Sequence, residues 1–291
     1  MDQADKLRNL LHQKPAAIKS KPARVIAVTS GKGGVGKTNF TVNLALFLQK
    51  QNVRVIIVDA DFGLANIEIV LGVTPKYSLA DVIGGRNTIE EVITNLDSGV
   101  SFISGGSGLS GIANATDLHL RHILDNLGKL DAMADVVLID TGAGISEAVL
   151  KFVISASEAI LICAPEPTSI TDAYSLVKAA KERSIDLPKF KVVINRAENK
   201  EEGTSIFNNL QHVAERFLDI DLEYLGVIPY DANLVRAVKS QKPCLVSFPK
   251  AAFSSEIENI GAKILDINIE KEPTGMKGFM KRLSNILGKG Q

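Results

Sequence analysis

Short apolar runs recur along this 291-residue chain, separated by stretches in which apolar residues return every three or four positions. The runs lie near residues 24–29, 53–58, 100–103, 135–139, 158–163, 190–194 and 223–228. Val55-Ile56-Ile57-Val58 and Val136-Val137-Leu138-Ile139 do not alternate with polar residues, which is the pattern of strands buried on both faces. Spaced stretches such as Phe40 to Leu48 predict helices. Strands alternating with helices imply right-handed crossovers and an α/β fold, a doubly wound, mostly parallel sheet of about seven or eight strands flanked by helices. The connection from about 63 to 99 is long, but Ser78 to Ile83 and Thr88 to Ile93 read as two short helices around Gly84-Gly85. It is therefore expected to be a structured insertion.

The two ends follow other patterns. Ala4, Leu7 and Leu11 lie at helical spacing after a capping Asp2, and Pro15 and Pro22 then mark a linker. At the far end Met276, Phe279, Met280, Leu283, Ile286 and Leu287 form one apolar stripe, with Lys277, Lys281, Arg282 and Lys289 opposite. Glu272-Pro273-Thr274-Gly275 detaches this stretch from what precedes it. A basic amphipathic helix of this kind suits a membrane interface, and each basic residue near an anionic leaflet contributes about 1 kcal/mol. The same stripe also suits packing on the core, and the two arrangements can alternate. The expected organisation is a tail and linker over 1–23, a main domain over 24–270 and an amphipathic helix over 274–291.

Charge sharpens this division. The chain is neutral overall, yet residues 1–24 hold six Lys or Arg against two Asp, and residues 276–291 hold four against no acid. Each end is thus +4 and the remainder −8. An acidic main domain argues against a broad nucleic-acid face. No apolar run reaches the 18 residues that a spanning helix needs, and the polar start does not read as a secretory signal, so a cytoplasmic location is expected. Cys163 and Cys244 form no CxxC pair. His119 and His122, three apart, have no third ligand in the pattern, and His12 and His212 take no role.

Candidate chemistry begins at Ser30-Gly31-Lys32-Gly33-Gly34-Val35-Gly36-Lys37-Thr38, between the first apolar run and the first helical stretch. Gly31, Gly36, Lys37 and Thr38 fill every fixed position of a phosphate-binding loop. Gly33, Gly34 and Val35 lend backbone N–H groups, and Asn39 lies in the first turn of a helix whose positive end faces the same anion. Asp59 and Asp61 end the second run, where strand ends face the ligand crevice of an open α/β sheet, and either can organise Mg²⁺ or water. Asp140 ends an apolar strand and suits Mg²⁺ through water, with the Thr38 hydroxyl on the other side. Asn195 and Arg196 end another strand, and Ile228-Pro229-Tyr230-Asp231 lies at the end of the next.

The second lysine, Lys32, gives the loop the form KGGxGKT, which resembles the deviant Walker A loop of the MinD/ParA ATPases. Asp2-Gln3-Ala4-Asp5-Lys6-Leu7-Arg8 matches the DQAxxLR motif that opens the FlhG (YlxH/FleN) branch of that family. The resemblance implies an ATPase using ATP and Mg²⁺, with Asp61 positioning the attacking water, Asp59 in the outer shell of the metal and Lys37 on its own subunit's phosphates. It implies a homodimer in which Lys32 reaches the partner's ATP. Asn195 and Arg196 would recognise adenine, with Pro229 and Asp231 closing the base side. Asp2, Gln3, Ala4, Leu7 and Arg8 would dock on the GTPase FlhF, and the C-ring proteins FliM or FliY are further implied partners. Met276, Phe279, Met280, Lys281, Leu283, Ile286 and Leu287 would meet an anionic membrane. Asp140-Thr141-Gly142-Ala143-Gly144 departs from the D-A-P-A-G usual in MinD but keeps the carboxylate. A division-site MinD, a DNA-segregating ParA and a module that binds ATP with negligible hydrolysis are the alternatives. The 23-residue extension weighs against the first and the acidic main domain against the second. The missing cysteines weigh against iron–sulfur relatives.

Overall fold

The computed structural model describes residues 22–61, 66–106, 126–265, 275–276 and 278–280. The strands are β1 (Arg24–Ser30), β2 (Val55–Ala60), β3 (Ile93–Asn95), β4 (Ser101–Ile103), β5 (Val136–Ala143), β6 (Glu158–Cys163), β7 (Lys189–Ala197) and β8 (Glu223–Pro229). They form one sheet in the order β3-β4-β2-β5-β1-β6-β7-β8. Every pairing is parallel except β3 with β4 at the edge. β2, β3 and β4 lie on one side of β1, β5 returns to insert between β2 and β1, and β6 to β8 run outward on the other side, so the strand order reverses around β1, where open α/β sheets open a crevice.

Consecutive strand residues point to opposite faces, and here both faces are covered. Val25 and Ala27 face one core, Ile26 and Val28 the other. The second core is roofed by α1 (Lys37–Lys50), α2 (Asn66–Leu71), α9 (Ala232–Lys239), α10 (Cys244–Ser247) and α11 (Ala252–Leu265). The first lies under α3 (Leu79–Ile83), α4 (Ile89–Val92), α5 (Leu130–Met133), α6 (Glu147–Ser155), α7 (Pro167–Arg183) and α8 (Lys200–Leu218). This double cover is why the apolar runs are continuous in the sequence.

Two boundaries differ from expectation in ways that matter. The stretch expected to be helical through Ile93 ends at Val92, and Ile93–Asn95 turns into an antiparallel edge strand. Ladder bonds to β4 decide this, and short local patterns do not contain them. β5 runs on through Ala143, so Thr141 and Gly142 are strand residues held beside β1 and β2.

The described part of the carboxyl-terminal stretch also departs from one expectation. Met276 and Phe279, assigned above to a membrane-facing stripe, are 0% exposed within the first core. Phe279 stacks on Phe152 of α6 at 6.2 Å between ring centres, and Met276 N donates to Asp131. Met280 is half-buried against the same core. Helical spacing defines an apolar stripe without naming what covers it; here α5 and α6 do. Lys281, Leu283, Ile286 and Leu287 lie outside the described residues, as do the Asp2–Arg8 motif and His119 with His122.

Candidate nucleotide site

The loop between β1 and α1 is shaped by close backbone approach. A Cβ on Gly31 would fall 2.2 Å from the backbone carbonyl of Asp172 in α7, so only glycine lets that helix pass. Gly36 sits at φ 95 as the N-cap of α1 and makes no side-chain cap. The first-turn N–H groups of a buried helix are thereby left facing the loop, the usual form of an anion site. Lys37 in that turn is buried, and no carboxylate lies within ion-pair distance of it among the described residues. A buried ammonium with no carboxylate at ion-pair distance among the described residues suits an anionic ligand. The phosphates of a nucleotide therefore fit this cradle.

Carboxylates collect beside it. Asp59 and Asp140 face each other across β2 and β5, both fully buried. Asp140 accepts hydrogen bonds from Thr38 Oγ1 at 2.7 Å and Thr41 Oγ1 at 3.1 Å. Burial raises the Asp140 pKa, partly offset by the Lys37 charge and the two hydroxyls. Asp59 is pushed up to about 7 by burial and by its neighbour Asp140. Two acids forced together in a dry pocket favour the arrival of a cation. No cluster of three or more His, Cys, Asp or Glu suited to a metal occurs among the described residues. A divalent ion would thus find Thr38 and Asp140 on the protein side, with Asp59 behind.

Asp59 also shapes the turn that follows it. Its Oδ1 accepts from Asp61 N at 3.0 Å and its Oδ2 from Ile67 N at 3.5 Å. Asp61, half-buried, accepts from Asn66 Nδ2 at 3.2 Å. Its carboxylate lies toward β5, since a Cβ on Gly142 would stand 3.6 Å from Asp61 Oδ1. The loop, Asp61 and the end of β5 thus converge on one crevice.

Lys32 points elsewhere. Its Nζ donates to Glu166 and, at 3.0 Å, to Thr168 Oγ1, at the start of α7. Lys32 and Glu166 side chains are 38% and 60% exposed, and the Lys32 ammonium holds Glu166 below the usual carboxylate range. The signature lysine is therefore parked on its own chain at the mouth of the crevice.

The other assigned residues make contacts within the chain. Asn195 is 1% exposed; its Nδ2 donates to Val35 O and its Oδ1 accepts from Arg196 N. Arg196 is exposed at φ 64. Both oxygens of Asp231 are engaged, one capping α9 through Asn233 N and the other accepting from Phe253 N, which ties α9 to α11. Pro229 ends β8, and Asn39 lends its carbonyl to Asn43. Sequence reasoning missed Thr41 and Glu166. Thr41 falls one turn after Thr38 on the same helical face, a signal that was present; nothing in the spacing links Glu166 to Lys32.

Comparisons agree with this geometry. The family described as the CobQ/CobB/MinD/ParA nucleotide binding domain matches residues 26–244. The antiactivator FleN of Pseudomonas aeruginosa is 40% identical over 90% of this chain and 94% of its own length. The flagellum site-determining protein YlxH of Helicobacter pylori is 32% identical over 98% and 97%. Among solved structures, the septum site-determining protein MinD complexed with Mg-ADP from Pyrococcus horikoshii superposes with a TM-score of 0.70 at 25% identity, covering 84% of this chain and 96% of that one. With the phosphate loop, the paired aspartates and these relatives in agreement, the chain belongs to the CobQ/CobB/MinD/ParA nucleotide-binding family and is an FlhG-like MinD/ParA ATPase.

Proposed function

We propose that this ATPase works as a Mg-ATP-dependent homodimer that moves between cytosol and membrane and governs the number or placement of flagella. The observation that carries the reading is the orientation of Lys32, at the crevice mouth and half-exposed while Lys37 occupies the interior. Lys37 and the first-turn N–H groups of α1 bind the phosphates of their own ATP, and Asp61 orients the attacking water. Lys32 leaves Glu166 and crosses to the partner's phosphates, where it neutralises developing charge. A magnesium ion held by Thr38 and Asp140, with Asp59 in its outer shell, would polarise the phosphates. The base lies toward the ends of β7 and β8, beside Arg196 and Pro229.

In this reading the carboxyl-terminal helix is stored on α6 through Phe279 and on α5 through Met276, and is released in the ATP dimer. Two released helices bind an anionic membrane better than one, because the second engages at high effective concentration. Among the described residues no helix is long and apolar enough to cross a membrane, so attachment is peripheral. Residues 2–8 dock on the GTPase FlhF and stimulate it, and C-ring proteins such as FliM or FliY bind the main domain. The relatives named for antiactivation and flagellum siting support this assignment.

Two measurements test it. Asp61→Ala should arrest hydrolysis and accumulate an ATP-loaded dimer on anionic liposomes; a monomer that stays in solution with ATP would count against the cycle. A peptide of residues 1–23 should accelerate FlhF GTP hydrolysis, and no acceleration would remove the FlhF assignment while leaving the ATPase intact.

A further inference from the structure

Thr41 follows Thr38 by three residues on α1, so the two hydroxyls stand on one face of the helix. Asp140, at the end of β5, accepts from both. Its Oδ2 takes the Thr38 hydroxyl at 2.7 Å and its Oδ1 the Thr41 hydroxyl at 3.1 Å. Thr38 is partly exposed at the crevice, within reach of a ligand. Thr41 is 0% exposed, closed off one turn behind it.

The Thr41 hydroxyl has one proton and two acceptors. Lys37 O, one turn back, stands at 3.0 Å, the usual bond of a threonine inside a helix. A carboxylate accepts more strongly than a carbonyl, the more so away from water. With the proton on Lys37 O, two oxygen atoms would face each other at 3.1 Å with no hydrogen between them. The hydroxyl therefore turns to Asp140 once a cation holds that group as a carboxylate.

This supplies what Thr38 alone does not. One hydrogen bond leaves a carboxylate free to swing about its Cβ–Cγ bond, whereas a second bond on the other oxygen fixes its plane. Both donors come from α1, whose first turn carries Lys37 and the N–H groups of the phosphate cradle. The carboxylate is thereby held in one relation to that cradle.

We infer that Thr41 is a positioning residue for the divalent cation, acting through Asp140 by fixing the plane in which that carboxylate and Thr38 face the ion. The inference rests on the reading of Thr38 and Asp140 as the protein partners of the metal. It predicts that loss of the Thr41 hydroxyl weakens the metal more than the nucleotide.

The test uses the full chain, a fluorescent ADP analogue and a Mg²⁺ titration against an EDTA baseline, so that binding is read without turnover. Thr41→Val keeps the shape and removes the hydroxyl. It should raise the Mg²⁺ concentration for half-maximal tightening of the analogue by about tenfold, the usual cost of removing a partner of a metal-holding group. Thr41→Ser, which keeps the hydroxyl, should restore the titration. An equal loss of affinity in EDTA and in Mg²⁺ would overturn the inference, because it would assign Thr41 to the packing of α1. An unchanged Mg²⁺ midpoint would overturn it too, as would a serine variant as weak as the valine one. Thr41→Ala gives the same readouts if the valine variant is unstable. An unsubstituted chain that binds the analogue equally with Mg²⁺ and with EDTA would instead remove the metal reading of Thr38 and Asp140.

Discussion

The two ends of the sheet bury the same kinds of charged residue and treat them oppositely. At the amino-terminal ends of the strands, Arg24 of β1 makes a two-pronged contact with Glu158 of β6, with nitrogen-to-oxygen distances of 2.8 to 3.0 Å. Lys191 of β7 stands 2.7 Å from the same carboxylate, and Arg24 Nη1 also donates to the Ile264 carbonyl at 2.5 Å. At the carboxyl-terminal ends, Lys37 has no such ion pair among the described residues, and Asp59 and Asp140 confront each other. The first arrangement pairs its charges within the chain; in the second the Lys37 charge only partly offsets the buried Asp140, and Asp59 is left raised. Burial of charge therefore does not mark the functional end, whereas missing complementarity does.

Removing one charge from each end tests this most strongly. Glu158→Ala leaves two buried cations together, and breaking a buried pair costs about 3–5 kcal/mol; the urea midpoint should fall sharply while the remaining folded protein keeps its ATP affinity. Lys37→Gln should do the reverse, weakening ATP on the order of 100-fold with an unchanged or higher melting temperature. Equal losses of stability in the two variants would erase the distinction.

Acidity gives a second contrast. Burial alone would raise Glu158, yet Arg24 and Lys191 hold it below the ordinary range, so its stabilisation is present near neutrality and lost only as pH falls through that lowered value. Asp59 is raised to about 7. Between its unfolded value and 7 the native state binds the extra proton, so stability is greater at low pH and is lost as pH rises through about 7. The melting temperature of ligand-free, metal-free protein should fall from pH 5 to pH 8, and Asp59→Asn should flatten that fall. An unchanged slope would show that Asp59 is not the strained member.

The smallest effect belongs to the surface. The Lys32 and Glu166 pair is largely exposed, and such pairs contribute little. Glu166→Gln should loosen Lys32 and lower the ATP concentration for dimer formation by about threefold or less, measured by analytical ultracentrifugation. A shift to higher ATP would mean that Glu166 aids the dimer rather than holding Lys32 back.

Much of the site was legible because its signals are local. Gly31, Gly36, Lys37 and Thr38 stand at fixed spacing, and Asp59 and Asp140 each end an apolar run, so a parallel sheet had to carry both to one crevice. Asn195 and Asp231 were harder. Their strand-end positions suggested ligand contact, but their partners, Val35 and Phe253, lie 160 and 22 residues away. Glu166 escaped notice for the same reason, being 134 residues from Lys32.

The carboxyl-terminal stripe shows where the division falls. The order of Met276, Phe279 and Met280 determined an amphipathic helix, as the apolar runs determined a doubly wound sheet and the glycine-lysine loop a phosphate site. Periodicity and motif chemistry act between near neighbours, so they are fixed by the chain itself. Only the tertiary structure decided that Phe152 covers Phe279, that Asn195 donates to the Val35 carbonyl and that Lys32 rests on Glu166. Those contacts join distant segments, and their energies arise from complementary shape and charge that exist only after the sheet has assembled.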